Sequence, residues 1–225
     1  MGYRHYGVNT GGIPINYIRL FSSAYNIPVF IETGTAGGES IREAALIFPI
    51  CHTIEIVEGR ADGSYPDNVT LHSGDSARIL NSIAENYKGH KVFFWLDAHW
   101  SEPVASEGDT PECPVMQEID AIFHAGHKEP FIMIDDARLF LGPPPWPCDP
   151  RKWPNVKWIF ERLTSCWPDS IVTMIDDYIV CFPNYTQAIF MDEWRGRFEE
   201  RYPTEEKKVQ LAAKKAWGHF VNYIK

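Results

Sequence analysis

The chain has 225 residues, 44% hydrophobic and 23% charged, enough for one globular domain with a sizeable core. Its formal net charge of −9 argues against a nucleic-acid-backbone binder, which needs a basic face. No apolar run approaches the ~20 residues that span a bilayer, and Met1-Gly2-Tyr3-Arg4-His5-Tyr6 lacks the apolar core of a secretory leader.

The five cysteines, at 51, 113, 148, 166 and 181, are odd in number and include no Cys-x-x-Cys. Reduced, mostly buried thiols in an intracellular, cytoplasmic protein are therefore expected, rather than disulfides or a zinc site.

Residues 1–28 read as an N-terminal cap segment, in which Ile15, Ile18, Leu20, Phe21 and Tyr25 form a helix over an edge of the sheet. Val29 to Glu32 is a buried strand. It runs into the turn Thr33-Gly34-Thr35-Ala36-Gly37-Gly38, and a helix follows from about Ser40 to Phe48. His52 to Val57 is a strand carrying Glu55 near its end, and 67–73 is a strand leading to the turn Gly74-Asp75-Ser76. A helix over 77–87 precedes the apolar strand Lys91 to Asp97, followed by Ala98-His99-Trp100. Residues 101–112 are a polar loop able to act as a lid. Residues 114–124 are a helix with Val115, Ile119 and Ile122 inward.

Pro130 to Asp136 is another buried strand ending in acids, and the Pro- and Trp-rich stretch 141–154 is expected to be irregular. After a helix over 156–166, strands 170–175 and 178–182 flank Asp176-Asp177, read only as the turn of an antiparallel hairpin. Residues 183–225 form a C-terminal helical segment, with a helix capped by Thr204.

Strands that alternate with helices and are continuously apolar imply an α/β fold: a Rossmann-like, doubly wound, mostly parallel seven-stranded sheet with a C-terminal antiparallel hairpin and helices on both faces. The expected organisation is a single domain over 1–225, with its core at 29–182. Ligands of such sheets lie at the carboxyl ends of the strands. Glu32, Glu55, Asp75, Asp97, Asp135 and Asp136 all fall there. The glycine turn bends tightly and opens backbone N–H groups to a ligand. Its order fails the Gly-x-Gly-x-x-Gly dinucleotide fingerprint, and an acid before the glycines repels a pyrophosphate. An ammonium- or sulfonium-bearing ligand suits it better.

In these segments the chain resembles the class I S-adenosylmethionine (SAM)-dependent methyltransferases, over roughly residues 29–182. Glu32-Thr33-Gly34-Thr35-Ala36-Gly37-Gly38 looks like their first motif, with Ala36 where a glycine often stands. The resemblance implies that SAM is held by Glu32, Thr33, Gly34, Thr35, Gly38 and Ser40, by Glu55 at the ribose, and by Gly74, Asp75 and Ser76 around the adenine. The product would be S-adenosylhomocysteine (SAH). The closer likeness is to sugar and small-molecule O-methyltransferases of the macrocin type. Their pattern implies Asp97, Asp135 and Asp136 as ligands of Mg²⁺ or Mn²⁺, with Asp97 and His99 catalytic.

Methyl transfer to a hydroxyl needs alignment and removal of a proton, by a base or with a metal that stabilises the alkoxide. Trp100, Arg138, Trp146 and Trp153 are candidates for holding the acceptor. The expected acceptor is a sugar or glycan hydroxyl, for example on a deoxysugar such as rhamnose. A phenolic metabolite is an alternative, as is a non-catalytic methyltransferase-fold module of a larger glycan-synthesis protein. A homodimer, or a domain of a larger chain, is compatible with the sequence.

Overall fold

The computed structural model describes residues 12–57, 59–61, 63–99, 112–210 and 212–213. The chain divides at Pro183 into two compact units. The first holds a seven-stranded sheet in the order β3-β2-β1-β4-β5-β7-β6. Its strands are β1 (Val29–Thr33), β2 (Ile50–Glu55), β3 (Val69–Ser73), β4 (Val92–Leu96), β5 (Phe131–Ile134), β6 (Ser170–Ile175) and β7 (Tyr178–Pro183). β1 pairs in parallel with β2 and β4, while β7 runs antiparallel between β5 and β6. The expected fold is the one observed.

Alternation along the strands sorts the two faces. Val29, Ile31, Val92, Phe94, Leu96, Ile132 and Ile134 enter the core cluster shared with α3 (Ser76–Glu85), α4 (Val115–His124) and α5 (Val156–Cys166). The opposite face is aromatic: Phe93 packs on Phe30, Phe131 and Phe182. The two faces together bury β1, β4, β5 and β7 on both sides, which is why these read as nearly unbroken apolar runs, whereas the edge strand β3 is largely exposed.

Helix α1 (Ile15–Tyr25) does not cover a sheet edge as expected. Phe21 sits edge-on to Phe182 at 4.7 Å and Tyr25 lies 5.7 Å from Phe131, so α1 covers the aromatic face over β5 and β7. Helix α2 (Glu39–Ala44) is shorter than its periodicity predicts. After Ala44 the bonds tighten to Leu46 N–H→Glu43 O and Ile47 N–H→Ala44 O, which swings Phe48 into the core ahead of Pro49. Strand β2 begins two residues early, because Ile50 pairs with Val29. The Pro-rich stretch contains one regular turn, a 3-10 segment at Pro150–Lys152 started by Asp149, whose carboxylate accepts from the Arg151 N–H.

The second unit holds α6 (Gln187–Arg201) and further helical residues at 205–210. Thr204 caps the latter as expected, its hydroxyl 3.3 Å from the Lys207 N–H. All five cysteines are free, and no helix among the described residues is long and apolar enough to cross a membrane.

Candidate active site

A cavity opens at the carboxyl ends of the parallel strands, where such sheets place ligands. Gly34, Ala36, Glu55, Gly74, Asp75 and Ser76 line one side, and Asp97, Ala98, His99 and Asp136 the other.

The first wall follows from backbone geometry. Gly34 has φ +82° and sits so close to β4 that a Cβ would overlap the Asp97 carbonyl. The glycine turn therefore packs directly on the strand that carries Asp97. Ala36 also takes a left-handed conformation, φ 45°, and its N–H donates to Glu55 at 2.8 Å. The other Glu55 oxygen accepts the Val57 N–H at 3.0 Å. Asp75 caps α3 by accepting the Ala77 N–H.

Other residues assigned to the cofactor lie beneath or beside the turn and do not line the cavity. Glu32 is 1% exposed and accepts the Thr53 hydroxyl at 2.6 Å, and that hydroxyl also meets Thr35 at 2.6 Å. Burial lifts the Glu32 pKa well above the carboxylate range, against the Thr53 hydrogen bond and with added repulsion from Asp97. Thr33 and Thr35 are buried as well. Gly38 abuts Tyr65, and Ser40 lies within α2. β1 is covered on both faces, so side chains at its end turn under the loop while the loop backbone faces the cavity.

The second wall is a chain of charges. His99 Nε2 lies 2.8 Å from Asp136 Oδ2, and His99 Nδ1 lies 3.7 Å from Asp97 Oδ1. With Asp136 ionised, Nε2 carries the proton and Nδ1 faces Asp97. Burial alone would lower the His99 pKa, but the Asp136 hydrogen bond and the Asp97 charge outweigh it and raise it. Desolvation pushes Asp97 up to about 8, opposed by His99 and reinforced by Asp135 and Asp136. Desolvation also works on Asp136, yet His99 and Arg138 bring its pKa below the usual range.

Asp135 is 4% exposed, accepts the Asp136 N–H at 2.7 Å and stays off the cavity lining. Of the three acids expected to hold a metal, Asp97 and Asp136 line the cavity and Asp135 does not. Among the described residues, no group of three or more His, Cys, Asp or Glu side chains is arranged to hold an ion. Asp136 is committed to His99 and Arg138 instead.

Arg138, expected to hold the acceptor, pairs with Asp136 at 2.6 Å and with Asp177. Asp177 is more than a turn residue. Its carboxylate accepts the Arg138 N–H at 2.9 Å and its carbonyl the Ala137 N–H at 2.7 Å, so the β6–β7 hairpin braces the segment after β5. Trp146 is 92% exposed and off the cavity lining, whereas Trp153 is buried and lies 6.1 Å from the His99 ring, backing it. Trp100 and the loop at 101–111 lie outside the described residues.

The sequence reading missed Arg60 and Glu112, which line the cavity, and Glu118, which is buried on α4 off its lining. Glu118 is 1% exposed on α4, and desolvation raises its pKa to about 7. Its signal was present: it stands three residues after Val115 and four before Ile122, on the same inward helical face.

No family model and no curated protein matches the sequence. Solved structures do resemble it. The MycE methyltransferase from the mycinamycin biosynthetic pathway, in complex with Mg, SAH and mycinamycin VI, superposes with TM-score 0.53 at 15% identity, over 81% of this chain and 50% of that one. An O-methyltransferase from Bacillus cereus in complex with SAH gives 0.55 at 18%, over 75% and 80%. Cofactor-bound Rv0187 from MTB gives 0.54 at 14%, over 76% and 79%. The chain has the fold of the class I SAM-dependent methyltransferases. It spans about half the length of MycE. In this fold the cavity between the glycine turn and the β4–β5 ends is the position where the sheet presents its ligand site.

Proposed function

We propose that the chain is a SAM-dependent O-methyltransferase acting on a hydroxyl of a sugar or glycosylated acceptor. The observation that carries this is the Asp97–His99–Asp136 chain, which faces the glycine turn across one cavity. Bound SAM supplies an electrophilic methyl group on a sulfonium, so the protein has to align an oxygen and take its proton.

The residues present fit that cofactor. The turn brings its main chain to the cavity at Gly34 and Ala36, Gly34 leaving no room for a side chain, and Glu55 stands at the end of β2 with both oxygens held by backbone donors. Gly74, Asp75 and Ser76 complete that wall. Asp136 fixes the His99 tautomer and favours its protonated form, which readies His99 or Asp97 to accept the acceptor's proton. Trp153 and Phe140 flank the ring and limit its rotation. Trp146, almost fully exposed, is available to a sugar face outside the cavity.

The side chains as arranged support proton removal by the Asp97/His99 pair. The sugar reading draws on the likeness to MycE, whose complex holds mycinamycin VI.

Calorimetric titration of SAM and SAH, with EDTA and then with Mg²⁺ or Mn²⁺, tests the cofactor. Binding abolished by Glu55→Ala supports the assignment, and absence of binding in every condition refutes it. Turnover of neutral glycosides that persists in EDTA supports the bare-base reading. Turnover only with Mg²⁺ returns Asp97, Asp135 and Asp136 to a metal role, and turnover of catechols alone moves the acceptor to phenols.

A further inference from the structure

Glu112 lines the cavity with His99, yet the proposed chemistry leaves it unused. Its neighbours Cys113 and Val115 belong to the core cluster, so the side chain projects from a fixed base at the start of α4. From there its carboxylate reaches the Pro- and Trp-rich stretch. Oε2 accepts the Asp149 N–H at 2.8 Å and the Trp153 indole N–H at 3.2 Å. Oε1 stands 3.6 Å from the Lys152 ammonium. One side chain thus gathers both ends of the 3-10 turn Pro150–Lys152.

That turn has little else of its own to hold it. A single 3-10 turn has strained hydrogen bonds, and Pro147 and Pro150 carry no N–H to donate. What depends on the turn is Trp153. Its ring lies 6.1 Å from His99 and 6.0 Å from Phe140, and Phe140 lies 6.4 Å from His99, so the three rings close on one another. Packing alone lets an indole tilt about its side-chain bonds, whereas a hydrogen bond at its N–H fixes the far end of the ring. We infer that Glu112 is a positioning residue: it fastens Trp153 by the indole N–H and, through that ring, holds His99 between Asp97 and Asp136. This rests on the methyltransferase reading given above. It extends that reading by giving the irregular stretch 148–153 a task in setting the base.

Glu112→Ala, Glu112→Gln, Trp153→Phe and Lys152→Ala are compared with wild type. Nuclear magnetic resonance follows exchange of the Trp153 indole N–H, identified by its loss in Trp153→Phe, and the Overhauser contact between the Trp153 and His99 rings. Titration gives SAM affinity, and SAH release gives kcat with methyl rhamnoside or catechol as acceptor. In Glu112→Ala the indole exchange should quicken about 10-fold or more and the ring contact weaken. Its kcat should fall about 10-fold, with SAM affinity changed by less. Glu112→Gln keeps an acceptor oxygen and is expected to recover most of the loss. Trp153→Phe keeps a ring without the N–H and should lower kcat as well. Lys152→Ala loses only a half-exposed ion pair and should match wild type.

A folded Glu112→Ala with wild-type indole exchange and ring contact overturns the inference, as does a kcat that falls no further than SAM affinity. Should Glu112→Ala fail to fold, a Trp153→Phe with wild-type kcat overturns it. If neither acceptor is methylated, the ring contact decides: persistence in Glu112→Ala overturns the inference and loss supports it. Wild-type protein that binds no SAM sinks the methyltransferase reading and the catalytic part of this inference together. SAM binding and turnover that the Glu112 variants leave unchanged sink this inference alone.

Discussion

His99 and Asp136 meet across the carboxyl ends of β4 and β5, with Nε2 2.8 Å from Oδ2. The contact decides which ring nitrogen can act as a base, because the proton held toward Asp136 leaves Nδ1 facing Asp97. Asp136→Asn keeps the shape and loses the charge. Turnover is expected to fall about 10²-fold or more, within the range that general-base catalysis contributes. SAM affinity, measured by titration, should stay within about 2-fold. A loss of affinity with turnover intact would contradict the arrangement.

The pH dependence of turnover follows from the same group of charges. Asp97 is lifted by desolvation to about 8, and His99 is raised by Asp136 and Asp97. A base works only after losing its proton, so kcat should climb as pH rises toward 8 and level above it. A pH–kcat profile already flat from pH 6 would show that neither group carries the proton transfer.

Stability should run the other way on the alkaline side. The Glu118 pKa is raised in the folded chain to about 7 from its ordinary 4.5. The folded state therefore binds the proton more tightly than the unfolded chain. That contribution is fully present below about pH 4.5 and is lost as pH rises through 7, on the order of 3 kcal/mol in all. Glu118→Gln removes the dependence, so urea melts at pH 5 and pH 8 should differ less in the variant than in wild type.

His52 governs the acid side. Burial, with His72 adjacent, lowers its pKa to about 4 while it bonds His72 at 3.0 Å and Tyr87 at 2.6 Å. The folded state holds its proton less tightly than the unfolded chain. Stability should therefore fall as pH drops from about 6.5 toward 4, again by roughly 3 kcal/mol. His52→Gln should flatten that limb in thermal melts between pH 4 and 7.

Ala36 holds a φ of 45°, a region where a Cβ is disfavoured. Ala36→Gly should stabilise the protein by about 1 kcal/mol, read as a rise in the midpoint of a urea melt. Gly34→Ala should do the opposite, and severely, since its Cβ would overlap the Asp97 carbonyl. A neutral Gly34→Ala would mean that the turn does not rest on β4.

The strands were legible because a sheet covered on both sides must be apolar at successive positions, and Val92 to Leu96 shows this without interruption. The rim acids were legible because a buried strand seldom ends on an acid without a use for it. Glu118 was legible in part: its spacing from Val115 and Ile122 places it on the inward face of α4, but only the packing of α4 on α3 shows that water cannot reach it. Asp177 passed for a plain hairpin residue because its partners, Ala137 and Arg138, are about 40 positions earlier in the chain.

Local chemistry written in the sequence thus determined the element order, the parallel sheet, the hairpin and the set of acids at one end. Only the tertiary structure decided which of those acids face the cavity. Asp97 and Asp136 line it, joined by His99, while Glu32 and Asp135 turn inward. The physical reason is that a strand's alternation assigns each side chain to a face, but the neighbouring strands and the loop folded over their ends determine which of those positions stay open to a ligand.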